Sequence, residues 1–383
     1  MKTVYLDNAA TTLMRAQVIE VIKESMGLLY ANPSASYAAG RQSKAAIEAA
    51  RKEIAFCLGV DATEIIFTSG GTESNNLILQ TAIKDIGVQH IITSKIEHHA
   101  VLKTVGVLSE QYGVKVSYLP ILPEGEVCLQ TLAKLLASIK EKVLVSLLHI
   151  NNEIGTVLNL DRVGALCKEN NALFHTDTVQ SVGCTLLDIK KSDIHFASAS
   201  AHKFYGPKGV GFAIIKKNIG AKALIHGGEQ ERGLRAGTEA IHQIIGMASA
   251  LKLCYKTLDE DKSYILNIKT YAIECFKKEI EGVRFNALSD KNSRKHNLLN
   301  ICFPVSNEKA NMILFQLDMV GICCSRGSAC QSGSNKPSHV LAAFLTQEKL
   351  ALTSLRFSFS IYTTKEDIDY AVAMIKQVLA KYA

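Results

Sequence analysis

Between about residue 60 and residue 215 the chain alternates between two hydrophobic rhythms. Short β-branched runs stand at Ile65-Ile66-Phe67-Thr68, His90-Ile91-Ile92-Thr93, Lys115-Val116-Ser117-Tyr118, Val143-Leu144-Val145-Ser146 and Leu173-Phe174-His175-Thr176. Between most of them apolar positions recur at helical spacing, as over 72–84 and 129–138. Alternation of this kind predicts an α/β fold with a mostly parallel sheet covered by helices on both faces. Two further apolar runs, 194–199 and 211–215, flank a polar stretch and read as a hairpin-like edge of that sheet.

Past residue 250 the rhythm changes. A long amphipathic pattern over 264–280 precedes strand-like runs at 298–303 and 354–358, and a final helical pattern covers 365–381. This predicts a smaller α+β domain beside the large sheet. Neither an internal repeat nor a low-complexity segment interrupts the chain.

Composition narrows the picture. With 383 residues the chain exceeds one typical domain, so two are expected. The stretch from Met1 to Asn8 lacks a basic region followed by an apolar run, so no secretory signal is expected. No window approaches 18 uncharged apolar residues, which argues against a membrane span. The net charge of +7 is dispersed, with basic and acidic residues alternating on faces such as 41–53. No nucleic-acid motif accompanies it. Ten cysteines without an export signal fit a reducing compartment, where most act as small buried hydrophobes. There is no C-x-x-C pair, so zinc-ribbon and thioredoxin readings fail.

The candidate chemistry lies where strands end. Lys203 sits in Ser200-Ala201-His202-Lys203-Phe204-Tyr205-Gly206-Pro207-Lys208-Gly209, and Asp177 and Gln180 follow another strand. A lysine amine for an aldehyde, an acid for a pyridine nitrogen and small donors for a phosphate are what pyridoxal 5′-phosphate (PLP) requires. Ser200 and His202 are the candidate phosphate donors, and Gln180 is placed to reach the ring oxygen. A solvated lysine and a helix-capping Asp are the ordinary alternatives. Ser69-Gly70-Gly71-Thr72-Glu73-Ser74 opens a helix after a strand and reads either as an anion site or as a plain capped helix start. At Glu97-His98-His99-Ala100 an imidazole could stack on a planar cofactor or move protons, or simply cap a helix. Asn151-Asn152-Glu153-Ile154-Gly155 offers polar contacts at the sheet edge where α/β proteins bind ligands, or a turn.

Cys330 lies in Arg326-Gly327-Ser328-Ala329-Cys330-Gln331-Ser332-Gly333-Ser334. Gly and Ser on both sides predict a mobile loop, and a thiol there is suited to nucleophilic attack and to carrying a group away. Cys323 and Cys324, on a predicted strand over 320–324, read as structural. The three thiols lack the spacing of a metal site.

Taken together, these segments resemble the cysteine desulfurases of the NifS/IscS type, within the class V aminotransferase group of PLP enzymes. The resemblance runs from Tyr5-Leu6-Asp7-Asn8-Ala9-Ala10-Thr11-Thr12 through Asn32-Pro33-Ser34, the segments above and the cysteine loop to Leu355-Arg356-Phe357-Ser358. It implies a fold type I PLP-dependent transferase, with a large PLP-binding domain over 14–255. The small domain is then built from 1–13 and 256–383 and carries the cysteine loop. It also implies a cytoplasmic homodimer with shared active sites. In those terms Lys203 is the Schiff-base lysine, Asp177 pairs with the pyridine nitrogen, Gln180 contacts the ring oxygen and His98 stacks on the ring. Gly71, Thr72, Ser200 and His202 hold the phosphate, and Thr238 reaches the partner subunit's phosphate. Asn152 and Arg356 grip the substrate carboxylate.

The implied reaction turns L-cysteine into L-alanine, leaving sulfur as a persulfide on Cys330. An acceptor protein, such as an iron–sulfur scaffold or a tRNA-thiolation protein, then takes it. Another class V PLP enzyme, an aminotransferase or a selenocysteine lyase, would use Lys203 without the same need for Cys330. A silent adaptor would need neither. Departures from the family pattern stand at Arg326, Lys336, Ala240, His296 and Phe359-Ser360; none removes a residue the chemistry needs.

Overall fold

A computed structural model describes residues 2–291, 294–327 and 338–382. Strand β1 (Val4–Tyr5) opens the chain. Seven strands follow: β2 (Ile65–Thr68), β3 (His90–Ser94), β4 (Lys115–Leu119), β5 (Val143–Ser146), β6 (Leu173–Asp177), β7 (Phe196–Ser200) and β8 (Gly211–Ile215). They form one sheet in the order β2-β8-β7-β6-β5-β3-β4. Its pairings are parallel from β4 through β7, whereas β8 runs antiparallel to both of its neighbours.

The strands are apolar on both sides, so each sends alternate residues into two separate cores. Ile65 and Phe67 of β2 face one core and Ile66 the other; Val143 and Val145 of β5 oppose Leu144, and Phe212 and Ile214 of β8 oppose Ala213 and Ile215. Helices Ala38–Leu58, Leu160–Glu169 and Ile241–Lys256 cover the first face. Helices Gly71–Gln80 and His99–Tyr112 cover the second.

The pair β7–β8 was expected at the sheet edge, and that is not where it lies. Strand β2 pairs along β8 through Ile65↔Ile214 to Thr68↔Gly211, so it forms the edge and encloses the pair. The physical reason is the exposed ladder that β8 would otherwise present, which a strand from far earlier in the chain now satisfies.

The remaining strands are β9 (Arg284–Phe285), β10 (Leu298–Ser306), β11 (Ile322–Cys323) and β12 (Leu352–Ser358). Antiparallel β12-β10-β9 packs against helices Leu258–Glu279, Ala310–Met319 and Lys365–Leu379. The last of these helices starts at a Thr364/Asp367 capping box, in which each side chain accepts from the other residue's amide. Strand β1 pairs in parallel with β11, and Val4 and Leu6 enter the same core. Among the described residues no helix is long and apolar enough to cross a membrane.

Residues 6–15 are stitched between the two parts. The Ser358 amide donates to Leu6 O (2.7 Å) and the Ala9 amide to Ser358 Oγ (2.8 Å). A few residues on, the Thr12 amide donates to His202 O (2.9 Å) and the Tyr205 amide to Thr12 Oγ1 (2.8 Å). The chain's start thus links β12 to the lysine segment.

Candidate active site

A cavity of about 250 Å³ opens at the carboxyl ends of β2, β3, β5, β6 and β7, the edge at which open α/β sheets bind ligands. Lys203, Asp177, Gln180, His98, Gly71, Thr72, Ser200, His202, Asn152 and Arg356 all line it, although they come from segments spread over almost the whole chain. Thr238 is exposed and does not line this cavity. Its segment is nonetheless tied to the cavity's helix, because Arg235 Nε donates to Glu73 Oε1 at 2.8 Å. Cys330 lies outside the described residues.

Gly70 and Gly71 bring the backbone close at one end. Gly70 has φ 150° and ψ −173°, a region open in practice to glycine alone. A Cβ on Gly71 would stand 2.5 Å from Val179 Cγ2, so that helix start seats only against a glycine. Free N–H groups at this helix end, with Ser200 and His202 on the cavity wall beside them, suit a phosphate.

Asp177 ends β6 and is buried. Its Oδ2 accepts from Asn75 Nδ2 (2.8 Å) and its Oδ1 from the Val179 amide (3.0 Å). The carboxylate is therefore held in one orientation. Asn75 was not anticipated from the sequence, although it stands one helical turn beyond Thr72 and so on the same face.

Lys203 Nζ donates to Ala9 O (2.6 Å) and Ala10 O (2.8 Å), and among the described residues no carboxylate bonds to it. Its pKa falls to about 7. Burial is the main cause, the Arg356 and Lys295 cations add to it, and Asp7 and Asp177 oppose it. An amine near neutrality at physiological pH is a nucleophile, whereas an ordinary lysine is not.

His98 caps helix His99–Tyr112: its Nδ1 accepts from the Ala100 amide at 3.1 Å. That bond fixes the tautomer, leaving Nε2 as the nitrogen that carries a proton. Burial pushes the imidazole below its usual pKa. The capping reading of His98 is thus met, and the same residue also lines the cavity. Glu97 beside it is buried, bonded by Ser94 Oγ, and pushed up to about 8 by burial.

Arg356 on β12 is 1 % exposed. Nη2 donates to Asp7 Oδ1 (2.7 Å) and Nη1 to Asn152 O (2.8 Å), which aim the guanidinium at the cavity. Asn151, by contrast, spends its side chain on the loop: Nδ2 donates to Ile96 O, and Oδ1 accepts from the Glu153 and Ile154 amides. Asn152 remains as the cavity-lining member of the pair.

The described residues on either side of 328–337 sit beside this cavity. Ser325 pairs with Arg356 through reciprocal backbone bonds (2.6 and 3.2 Å), and its Oγ donates to Asp7 Oδ2 at 2.7 Å. On the far side Ser338 Oγ donates to the buried Glu153 carboxylate, and the His339 ring stacks 4.4 Å from His99. Arg326, one of the family departures, turns toward helix Ala310–Met319 and donates to Asn311 Oδ1 (2.7 Å) and Asn307 Oδ1 (2.9 Å). The Cys323 and Cys324 thiols are both pushed up in pKa by burial, so neither is a ready nucleophile.

A depressed lysine amine, an oriented carboxylate, a cavity-lining imidazole and a helix-end anion cradle in one cavity define the class: an enzyme built around a phosphorylated pyridine aldehyde. The donor set fits PLP at each of its polar groups. Comparison with known proteins agrees. A family model described as Aminotransferase class-V matches residues 4–371, and the chain belongs to that family, whose cofactor is PLP. Cysteine desulfurase IscS of Dictyoglomus turgidum is 41 % identical over 382 residues, covering 99 % of this chain and 95 % of that protein. Among solved structures, a NifS-like protein superposes with a TM-score of 0.89 at 34 % identity, covering 99 % of this chain and 100 % of the other. A structure described as SspA in complex with cysteine gives 0.77 at 32 % identity, covering 94 % and 100 %.

Proposed function

We propose that this chain is a PLP-dependent cysteine desulfurase, which converts L-cysteine to L-alanine and passes the sulfur through Cys330 to an acceptor protein. One observation carries the reading. Lys203, Asp177 and Arg356 meet in one cavity, and the residues flanking the Cys330 segment are anchored beside it, Ser325 to the cavity-lining Arg356 and Ser338 to Glu153, the neighbour of the cavity-lining Asn152.

Bound in this cavity, PLP supplies an electron sink for the substrate Cα. The chain's own residues do the rest. Lys203, half neutral near pH 7, offers the amine that the aldehyde requires. Asp177, steadied by Asn75, holds a proton on the ring nitrogen. Gln180 donates to the ring oxygen. The Arg356 guanidinium, already oriented by Asp7 and Asn152, takes the substrate carboxylate as a bidentate fork. His98 moves protons at Nε2. The Cys330 thiolate attacks the substrate sulfur: an S–S bond forms and the C–S bond breaks. Its electron pair stays with the substrate carbon, which gains a proton and leaves as alanine. No external oxidant is needed.

The relatives' IscS names point to iron–sulfur assembly as the destination of the sulfur, and a neighbour solved with cysteine is consistent with that substrate. The protein works as a cytoplasmic homodimer in this reading, with Thr238 serving the partner copy's phosphate; its exposure outside its own cavity supports that role. The test is to incubate the PLP-loaded enzyme with L-cysteine and follow alanine and Cys330 persulfide by mass spectrometry. Cys330→Ser should abolish the persulfide and its transfer. Undiminished alanine and sulfide release from C330S would overturn the desulfurase reading.

A further inference from the structure

Behind Gln180 lies a second buried lysine that the proposed reaction does not use. Lys295 is 4 % exposed. Its Nζ donates to Gln180 O (2.6 Å) and to Gln180 Oε1 (2.7 Å). Among the described residues no carboxylate bonds to it. Its backbone is pinned as well, the amide donating to Gly155 O (2.8 Å) and the carbonyl accepting from Lys269 Nζ (3.0 Å). A lysine buried without an acid is costly to keep unless its hydrogen bonds serve a purpose.

The purpose follows from donor chemistry. A primary amide has one accepting and one donating end, and the two are nearly the same shape. Lysine in this setting donates, so it selects the oxygen of Gln180. The Nε2 end must then turn the other way, where it donates to Ala9 O at 2.8 Å, the same carbonyl that Lys203 Nζ engages. Both side chains line the cavity there.

We propose that Lys295 is a positioning residue for the cofactor. Acting through Gln180, it fixes which end of that amide faces the cavity, so that a donor meets the electron-rich ring oxygen. The proposal rests on the reading of Gln180 as the ring-oxygen partner. A donor at that oxygen draws electron density away from it and weakens its hold on the proton of the neighbouring lysine-linked nitrogen. Without Lys295 only the Ala9 carbonyl holds the amide's orientation, and in the reversed form a carbonyl opposes the ring oxygen. The charged and titratable groups facing this pair are Lys203, Arg356, Asp7 and Asp177 at the cavity, and Cys184, His149, His296 and Lys269 around Lys295. All of them stay intact in the variants below.

The experiment is a pH titration of the bound cofactor's absorbance in the PLP-loaded protein. Lys295→Met should raise the midpoint by about one pH unit, the scale of one hydrogen bond to a charged group. Gln180→Met should raise it similarly, and the K295M/Q180M double variant no further than Q180M alone. Lys295→Gln is neutral but still donates, so it guards against a folding defect in K295M and should hold the midpoint near the parent value. A midpoint that moves in Q180M but not in K295M overturns the proposal while leaving the Gln180 reading intact. So does a K295Q shift as large as that of K295M, or additive shifts in the double variant. No shift in Q180M refutes the Gln180 reading, and the proposal with it.

Discussion

Lys203 offers the sharpest quantitative test, because its reactivity depends on the fraction of neutral amine. An ordinary lysine, with pKa near 10.4, is neutral in only about 4 molecules in 10,000 at pH 7. At a pKa of about 7 the fraction is one half, a gain on the order of a thousandfold. Burial is the main cause, and Arg356 is the strongest of the neighbouring charges. Replacing Arg356 with Met removes that cation and also frees Asp7, now bonded to the guanidinium at 2.7 Å. Both changes favour the ammonium, so the midpoint should rise by roughly one unit. The assay is trace labelling of the cofactor-free protein with an amine-reactive anhydride between pH 5 and 10. Mass spectrometry of the Lys203 peptide then reports its reactivity at each pH. The native protein should give a midpoint near 7, with R356M above it. A native midpoint near 10, or a lower midpoint in R356M, would refute the electrostatic account.

Two further outcomes follow from buried groups. Glu97 holds its proton to about pH 8 in the folded state, while an unfolded carboxyl ionises near 4.5. The folded state binds the extra proton, so this group's stabilisation is complete below pH 4.5 and is lost as pH rises toward 8. Glu97→Gln should remove a slope of up to about 1.4 kcal/mol per pH unit across that window in urea titrations. An unchanged slope would show that Glu97 ionises normally. Arg51 and Glu231, 3 % and 2 % exposed, pair through two bonds of 2.7 and 2.8 Å, and Glu231 Oε2 also accepts from the Phe67 amide on β2. Arg51→Met leaves the buried carboxylate without its counter-charge, with the Phe67 amide as a remaining partner, at a cost of about 3–5 kcal/mol in the unfolding free energy from urea titration. A loss below about 1 kcal/mol would mean that water replaces the guanidinium.

The strands of the large sheet were legible because runs buried on both faces stay apolar at every position, as in Val143-Leu144-Val145. Their order was not fully legible. The return of β2 outside β8 pairs residues some 150 positions apart, and no local pattern records such a partner. Asp177 and Lys203 were read because the chemistry needs unusual side chains where strands end, whereas Arg356 was reached only through the family resemblance. Asn75 was within reach of helical spacing from Thr72. Lys295 and Glu97 were not. A lysine among Asp290, Lys291, Arg294 and His296 looks like solvated surface, and only tertiary packing places it beneath Gln180. His98 shows a different limit, since a helix cap and a cavity-lining imidazole ask for the same residue in the same place.

The stitching of residues 6–15 has a consequence for how the protein is made. Lys203 rests on the carbonyls of Ala9 and Ala10, and Arg356 is oriented by Asp7. During synthesis Ala10 and Thr12 can meet their partners once the lysine segment is made, whereas Leu6, Asp7 and Asn8 wait for Arg356 and Ser358 until almost the entire polypeptide has left the ribosome. The large sheet has all of its strands by Ile215, yet the pocket stays open on one side until β12 arrives. Cofactor capture is thus expected only after residue 356 is made, because a chain stopped short of it lacks the guanidinium that completes the pocket.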